Sequence, residues 1–184
     1  MRVIAGSRKR LPLKTVPGTN TRPTTDRIKE TIFNMMANDI YDCNFLDLFS
    51  GSGQMGIEAL SRGARTAYFV EKDKKAIQCI RDNLSFTKLS EQAVVMGMDI
   101  RVALANLRDK EKFQVIFMDP PYHLELEEST LQQIYDCNLL DEDGYIVVEA
   151  DINTDFSFVE QIGFDIIQEK SYKTNKHVFL ERKN

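Results

Sequence analysis

The sequence predicts an α/β fold with a doubly wound, mostly parallel sheet of seven strands, preceded by a short N-terminal hairpin and helix. Three observations predict it. From about residue 45, short β-rich apolar runs alternate with segments of helical periodicity. A glycine-rich turn joins the first run to the first helix, as in sheets built from strand–helix–strand units. The last two runs are separated only by a polar turn, which predicts a closing antiparallel pair.

The N-terminal part differs in charge from the rest of the 184-residue chain, whose 42% hydrophobic residues suffice for one globular core. Residues 1–34 carry eight Lys or Arg and two acids, a net charge of +6, whereas the remainder sums to −10. We therefore expect a basic extension, residues 1–38, packed on a core domain, residues 39–184. Contact with a polyanion would begin at this extension.

The elements follow in order along the chain. A hairpin and a loop are predicted before residue 23, and a helix near 25–38, where Thr24 and Thr25 are good N-caps and Ile28, Ile32 and Met36 recur at helical spacing. Strands are predicted at 45–49, 67–70, 93–96, 115–118, 145–148, 164–167 and 177–180. Helices are predicted between them at about 54–62, 73–86, 100–108 and 126–138.

The segment Asp47-Leu-Phe-Ser50-Gly51-Ser-Gly53-Gln-Met-Gly56 places a glycine-rich turn between the first core strand and a helix. Gly51 and Gly53 allow a tight turn and close approach to a ligand, and the helix N-terminus offers amide donors. The turn therefore predicts a nucleotide-like ligand, although a turn that only connects two elements is the alternative.

Two acids follow neighbouring strands at the same edge of the predicted sheet. Glu71 ends the second strand about 20 residues after the glycines, where a carboxylate can accept ribose hydroxyls. Asp99 follows the third strand and could accept from an adenine amino group. For Glu71, a surface acid at a strand end is the alternative.

The most specific motif is Asp119-Pro120-Pro121-Tyr122, after the fourth strand and on the same edge. Two prolines hold the backbone extended and remove its donors. The Asp119 carboxylate and the Pro120 carbonyl can then accept hydrogen bonds from both hydrogens of an amino group and orient its lone pair toward an electrophile. Tyr122 offers a face for stacking an extruded base. A strand-ending turn is the alternative.

Together these motifs resemble the class I S-adenosylmethionine methyltransferases, and specifically the group that modifies exocyclic amino groups of bases. The segments Arg22 to Asn34, Asp47 to Gly56 and Glu58 to Ala64 are similar to the bacterial 16S rRNA guanine-966 N(2)-methyltransferase family, over nearly the whole chain. At Lys173 the chain has a lysine where that family suggests glycine, which puts the local turn in question.

The resemblance implies a Rossmann-like class I fold, the cofactor S-adenosyl-L-methionine and 16S rRNA of the small ribosomal subunit as partner, with catalysis at Asp119, Pro120 and Tyr122. It also implies that the segment Arg22 to Arg27 closes over the cofactor. The predicted cofactor-binding residues are Thr25, Asp47, Ser50, Gly51, Gly53, Glu71, Lys72 and Asp99. The predicted RNA-binding residues are Arg8, Lys9, Arg10, Arg22 and Arg27.

The implied reaction is direct in-line methyl transfer to the amino nitrogen, which needs no nucleophilic side chain from the enzyme. Cys43, Cys79 and Cys137 lie outside the motifs and are expected to be buried, packed thiols. His123 is a possible proton acceptor, but a surface histidine is the more ordinary interpretation, and His177 has no predicted role. We expect no metal site, no membrane association, a monomer and a cytoplasmic location.

Three other functions remain open at this point. The first is methylation of the adenine 6-amino group in DNA, because the Asp-Pro-Pro-Tyr motif does not distinguish guanine from adenine. The lack of an evident target-recognition domain argues against this function. A non-catalytic RNA-binding assembly protein is another, and it would bind cofactor without turnover. A dehydrogenase would fit the glycine turn but not residues 119–122.

Overall fold

The computed structural model describes residues 1–16, 26–121 and 126–183 of the chain. In the first range, the predicted hairpin is a short paired segment: the Val3 amide donates to the Leu11 carbonyl at 2.9 Å, and the Arg10 amide to the Val3 carbonyl at 2.8 Å. A 3-10 turn, Gly6–Arg8, lies between the paired residues. Further backbone amides of this short segment, those of Ile4 and Ala5, donate to the Glu58 side chain.

The predicted alternation of strands and helices is confirmed. The helices of the described residues are α1 Asp26–Met35, α2 Gln54–Ser61, α3 Lys74–Thr87, α4 Ile100–Leu107, α5 Leu126–Asp136 and α6 Val159–Ile162. The strands are β1 Asn44–Leu48, β2 Thr66–Glu71, β3 Ala93–Gly97, β4 Phe113–Met118, β5 Leu140–Asp151, β6 Phe164–Ser171 and β7 Asn175–Arg182. Across these same residues, no helix is both long and apolar enough to cross a bilayer.

Two elements differ from the sequence expectation. The strand β5 extends on both sides of the predicted 145–148, because Leu140 also pairs with Phe113 of β4 and residues 149–151 also pair with β7. The helix α6 was not predicted, since four residues are too few to show helical periodicity. The turn that contains Lys173 joins β6 to β7 without a positive φ at that lysine, so glycine is not required there.

Among the described residues, the seven strands form one sheet in the order β3-β2-β1-β4-β5-β7-β6. The pairs from β3 through β5 are parallel, whereas β7 is antiparallel to both β5 and β6, as the polar turn predicted. This is the class I, Rossmann-like arrangement. The chain moves outward from β1 to β3 and then returns to β4 on the other side of β1. Such a reversal leaves a cleft beyond the carboxyl ends of the strands.

The two faces of the sheet carry separate halves of the core. One face packs on α1, α2, α3 and the N-terminal segment, for example where the rings of Phe33 and Phe45 stack with centroids 6.3 Å apart. The other face packs on α4, α5 and α6. The predicted burial of the three cysteines is confirmed, and each lies in or beside these cores.

The N-terminal segment is tied to the core by a buried acid, Glu58, in α2. Its carboxylate accepts hydrogen bonds from the Ile4 amide at 2.7 Å and the Ala5 amide at 3.0 Å, and from the Arg62 guanidinium at 2.8 Å. The Lys29 ammonium, fully buried, lies 3.8 Å from the same carboxylate and donates to the Arg2 carbonyl at 2.7 Å. Because Glu58 is itself fully buried, its charge is tolerated only through these partners.

We expect Glu58→Ala to lower the free energy of unfolding by about 3 to 5 kcal/mol, since it leaves the Lys29 charge buried with its main counter-charge removed. It should also expose residues 1–14 to proteases. The measurement is urea unfolding with limited proteolysis. The exposed Glu160→Ala is the matched control and should change stability by less than about 0.5 kcal/mol. Equal effects of the two substitutions would contradict the anchoring role of Glu58.

Candidate active site

A cleft of about 1920 Å³ opens beyond the carboxyl ends of β1, β2, β4 and β5. This volume exceeds what one small ligand usually occupies, so it has room for a cofactor and a nucleobase together. The predicted site residues that line it are Arg27, Asp47, Ser50, Gly51, Glu71, Lys72, Asp99, Asp119 and Pro120. Of the other predicted residues, Arg22, Thr25, Tyr122 and His123 lie outside the described residues.

The glycine-rich turn has three consecutive odd-numbered residues with positive φ: Phe49 at 61°, Gly51 at 55° and Gly53 at 78°. Gly53 is the N-cap of α2, and a Cβ there would also lie 3.2 Å from the Ile80 side chain. The Ser50 hydroxyl holds the turn by donating to the Asp47 carbonyl at 2.6 Å. The turn therefore needs glycine at Gly53 for both backbone conformation and space.

Gly56, three residues after Gly53, is required for space and not for its backbone conformation. In α2, Gly56 lies against the Phe69 ring of β2, and a Cβ at this position would be 2.4 Å from the ring. The close approach brings the first turn of α2 near the strand ends. A helix N-terminus in this position favours a ligand with negative charge.

The Glu71 carboxylate is held in place by three backbone amides. Its Oε2 accepts from the Gly51 amide at 3.0 Å, and its Oε1 accepts from the amides of Lys72 and Asp73, both at 2.8 Å. A carboxylate offers about four acceptor positions, so Oε2 retains capacity for a further donor such as a ribose hydroxyl. The same bonds join β2 to the glycine-rich turn.

The Asp47 side chain lies under the turn, almost completely buried. Its Oδ2 accepts from the Gly56 amide at 3.0 Å. Burial raises the pKa of Asp47 to about 7, with the Gly56 hydrogen bond acting in the opposite direction and Glu71 adding to the increase. Asp47 is therefore a buried acid whose carboxylate is stabilised by the Gly56 amide, and its ionisation costs stability.

Asp99 is the N-cap of α4 as well as a residue of the cleft. Its Oδ1 accepts from the Arg101 amide at 3.0 Å and the Arg101 guanidinium at 3.3 Å. These interactions lower the pKa of Asp99 below its ordinary value, and the hydrogen bond from the Arg101 amide has the larger effect. The carboxylate is thus ionised and fixed in direction, which suits an acceptor for a cofactor amino group.

Asp119 directly follows β4, and its amide approaches the Leu48 carbonyl of β1 at 3.5 Å. The next residue, Pro120, is buried. Burial, followed by the charges of Glu149 and Asp47, holds the pKa of Asp119 well above its usual range. An amino group that reached this position would therefore meet a desolvated acceptor with a strong tendency to take a proton.

The sequence reasoning missed two buried residues next to Asp119, Glu149 in β5 and His177 in β7. Glu149 lines the cleft, and its Oε2 lies 3.0 Å from the His177 Nε2 atom. A signal was present: Glu149 is an acid directly after an apolar strand core at 145–148, on the edge where ligands bind. Its partner on β7 is far away in sequence and could not be identified without the sheet register.

The predicted RNA-binding residues divide into two groups. Lys9, Arg10 and Arg27 line one groove together with the acids Asp26 and Glu30, and Arg27 also lines the cleft. Arg8 points elsewhere: its guanidinium donates to the Thr87 carbonyl at the end of α3, at 2.6 Å. The structure thus gives Arg8 a bracing contact within the protein.

The chain was compared with known proteins and solved structures. Residues 1–181 match the family model described as Conserved hypothetical protein 95. The Bacillus subtilis protein named "Putative rRNA methyltransferase YlbH" is 47% identical over 82% of this chain and 83% of its own length. The Haemophilus influenzae "Ribosomal RNA small subunit methyltransferase D" is 37% identical over 82% and 79%. The structure of an Escherichia coli protein named "Putative methyltransferase yhhF" is 32% identical, with TM-score 0.85 over 100% and 98%.

Because the folded state holds the Asp47 proton up to about pH 7 and the unfolded chain releases it near pH 3.8, ionisation of Asp47 should lower stability as pH rises through this window. We expect Asp47→Asn to abolish this contribution and to stabilise the protein at pH 8 by roughly 1 to 4 kcal/mol. Urea unfolding between pH 4 and 8 measures it. Asp99→Asn, at an N-cap where asparagine is equally suitable, should change little. A destabilised Asp47→Asn at pH 8 would contradict the assignment.

Proposed function

Because this chain belongs to the Conserved hypothetical protein 95 family, whose members are class I S-adenosylmethionine-dependent methyltransferases, we propose that it methylates the exocyclic 2-amino group of a guanine in 16S rRNA. The observation that carries this proposal is the position of Asp119 and Pro120. They lie at the end of β4, on the same cleft as the glycine-rich turn and Glu71. A cofactor site and an amino-group acceptor therefore face one space.

The residues of the cleft fit S-adenosylmethionine. Glu71 has acceptor capacity for the ribose and the Asp99 carboxylate for the adenine amino group, and the N-terminal end of α2 favours the negative charge of the carboxylate of the methionine part. Lys72 lines the same wall of the cleft. When bound, the cofactor supplies an electrophilic methyl group on its sulfonium centre.

The protein then has to position the amino nitrogen. Asp119 accepts one N–H of the target and the Pro120 carbonyl the other, which directs the nitrogen lone pair at the methyl carbon. The nitrogen becomes acidic only as its bond to the methyl group forms, so orientation matters more than basicity before that step. Tyr122 is proposed to stack on the extruded base, as the motif predicts.

Direct transfer is favoured over a covalent intermediate. The thiols of Cys43, Cys79 and Cys137 are all buried, and none of them lines the cleft. Burial raises the pKa of Cys43 to about 12, so this thiol is a poor nucleophile at neutral pH.

An RNA substrate is favoured by two further observations. The groove lined by Lys9, Arg10 and Arg27 shares Arg27 with the cleft, and its basic side chains can contact phosphates. Relatives with 37% identity are named ribosomal RNA small subunit methyltransferases. We propose that the enzyme acts as a monomer on 16S rRNA, within the small subunit or an assembly intermediate of it.

The test is transfer of labelled methyl from S-adenosylmethionine to small subunits isolated from cells that lack this enzyme. Naked 16S rRNA and DNA serve as parallel substrates, and nucleoside analysis identifies the product. N(2)-methylguanosine in 16S rRNA is the expected result. Label in DNA adenine, or cofactor binding without transfer to any substrate, would overturn the proposal.

The division of roles between two acids is also testable. We expect Asp119→Ala to lower kcat at least about 100-fold while the Kd for S-adenosylmethionine changes less than about 3-fold, because Asp119 acts on the amino group. We expect Glu71→Gln to weaken cofactor binding about 10-fold, because it disturbs the ribose acceptor. Calorimetry and single-turnover kinetics measure both. Parallel loss of both properties in both variants would contradict this division.

The role of the groove predicts a change in salt dependence. We expect Lys9→Ala with Arg10→Ala to weaken RNA binding and to reduce the slope of log Kd against log salt by about 1 to 2, since two phosphate contacts are lost. Arg8 is left unchanged because it braces Thr87. The control is Arg65→Ala with Lys110→Ala, both exposed and at the opposite edge of the sheet. Equal slopes for the two double variants would exclude the groove as the RNA contact.

A further inference from the structure

Three neighbouring strands place polar residues side by side at the edge of the cleft. Asp119 follows Met118, which pairs with Val148, so Asp119 and Glu149 are adjacent positions on the parallel strand ends of β4 and β5. Glu149 pairs directly with His177 of β7. We call Asp119, Glu149 and His177 the polar row. Since side chains alternate along a strand, the row continues the face that carries Phe117 and Phe179.

The middle of the row is tightly held. Glu149 is 6% exposed; its Oε1 accepts from the side-chain amide of Asn175 at 2.8 Å, and its Oε2 lies 3.0 Å from His177 Nε2. His177 is fully buried, with its ring beside those of Phe117 and Tyr172 at centroid distances of 6.5 and 5.3 Å. Each oxygen of the Glu149 carboxylate thus has a partner, and the carboxylate is held in a fixed position next to Asp119.

The electrostatic setting of Asp119 is dominated by like charges. Asp47 faces it from the end of β1 and Glu149 from β5, while His177 and the Tyr172 ring lie behind Glu149. Arg27 of α1 and Lys170 of β6 line the same cleft. Each of two desolvated carboxylates in adjacent positions opposes the ionisation of the other, so a proton that reaches Asp119 is held there more strongly than on an isolated aspartate.

We propose that Glu149, held by His177 and Asn175, is a positioning residue that makes Asp119 the proton acceptor of the reaction. This rests on the proposed methyl transfer. As the nitrogen–carbon bond forms and the carbon–sulfur bond breaks, the amino nitrogen loses one proton. Asp119 receives it, the Glu149 carboxylate shares it, and the proton leaves to solvent after the product departs. The His177 contact holds the Glu149 carboxylate in place beside Asp119.

The proposal predicts opposite effects of two substitutions. Glu149→Gln keeps the shape but removes the negative charge beside Asp119, so the acid limb of the kcat–pH profile should move to lower pH, by about one unit. His177→Phe fills the same aromatic surroundings but removes a partner of the Glu149 carboxylate. The two acids then hold their proton to higher pH, and the limb should move upward.

The experiment measures the acid limb of the kcat–pH profile for the wild type and each variant. It also follows, against pH, the protonated-carboxyl infrared band of the substrate-free protein, which is identified by its loss in Asp119→Asn. The control is Glu169→Gln, an exposed acid of β6 paired with Lys176, which should move neither readout. If His177→Phe does not fold, His177→Gln replaces it. A lowered kcat for Glu149→Gln, with the acid limb and the infrared titration unmoved, would show a purely structural role and overturn the proposal.

The failure of the proposed function is distinguishable from the failure of this inference. If the wild-type protein methylates no RNA, the infrared titration still decides whether Glu149 controls the proton on Asp119. A shift of that titration in Glu149→Gln supports the pairing of the two acids, and an unchanged titration refutes it.

Discussion

The parallel pairing of β1 with β2 on one side and β4 on the other is the constraint on which the site depends. Asp47 pairs with Phe69 and with Phe117, so the ends of three strands are held at one level. The glycine-rich turn, Glu71 and Asp119 each follow one of these strands within a few residues. Because backbone hydrogen bonds set the register, residues distant in sequence are brought to one edge without direct contacts among their side chains.

Two acids of this protein, Glu58 and Asp119, show how the neighbours of a carboxylate decide whether it is structural or reactive. Glu58 receives two amides, a guanidinium and an ammonium, so it can hold the N-terminal segment as an ion. Asp119 is surrounded instead by Glu149 and Asp47, which oppose its ionisation. The first arrangement stabilises the fold, and the second leaves a group that gains from accepting a proton.

The N-terminal segment is connected to the cofactor side of the cleft as well as to α2. The Asn83 side chain in α3 accepts from the Lys14 amide at 2.8 Å and donates to the carbonyls of Lys14 and Ser52, at 3.1 and 3.0 Å. One buried amide therefore joins the basic segment to the glycine-rich turn. Contacts of the groove with RNA and occupancy of the turn by cofactor would act on the same rigid unit.

The sequence alone determined the order of strands and helices, the closing antiparallel pair and the residues of the cleft that come from local motifs. These were predictable because periodicity and tight turns are local properties, as at Gly53. The placement of Arg8 against Thr87, the anchoring of Ile4 by Glu58 and the pairing of Glu149 with His177 were decided only by tertiary structure. Each joins residues at least 28 positions apart, and their proximity follows from strand register and helix packing, which no local pattern encodes.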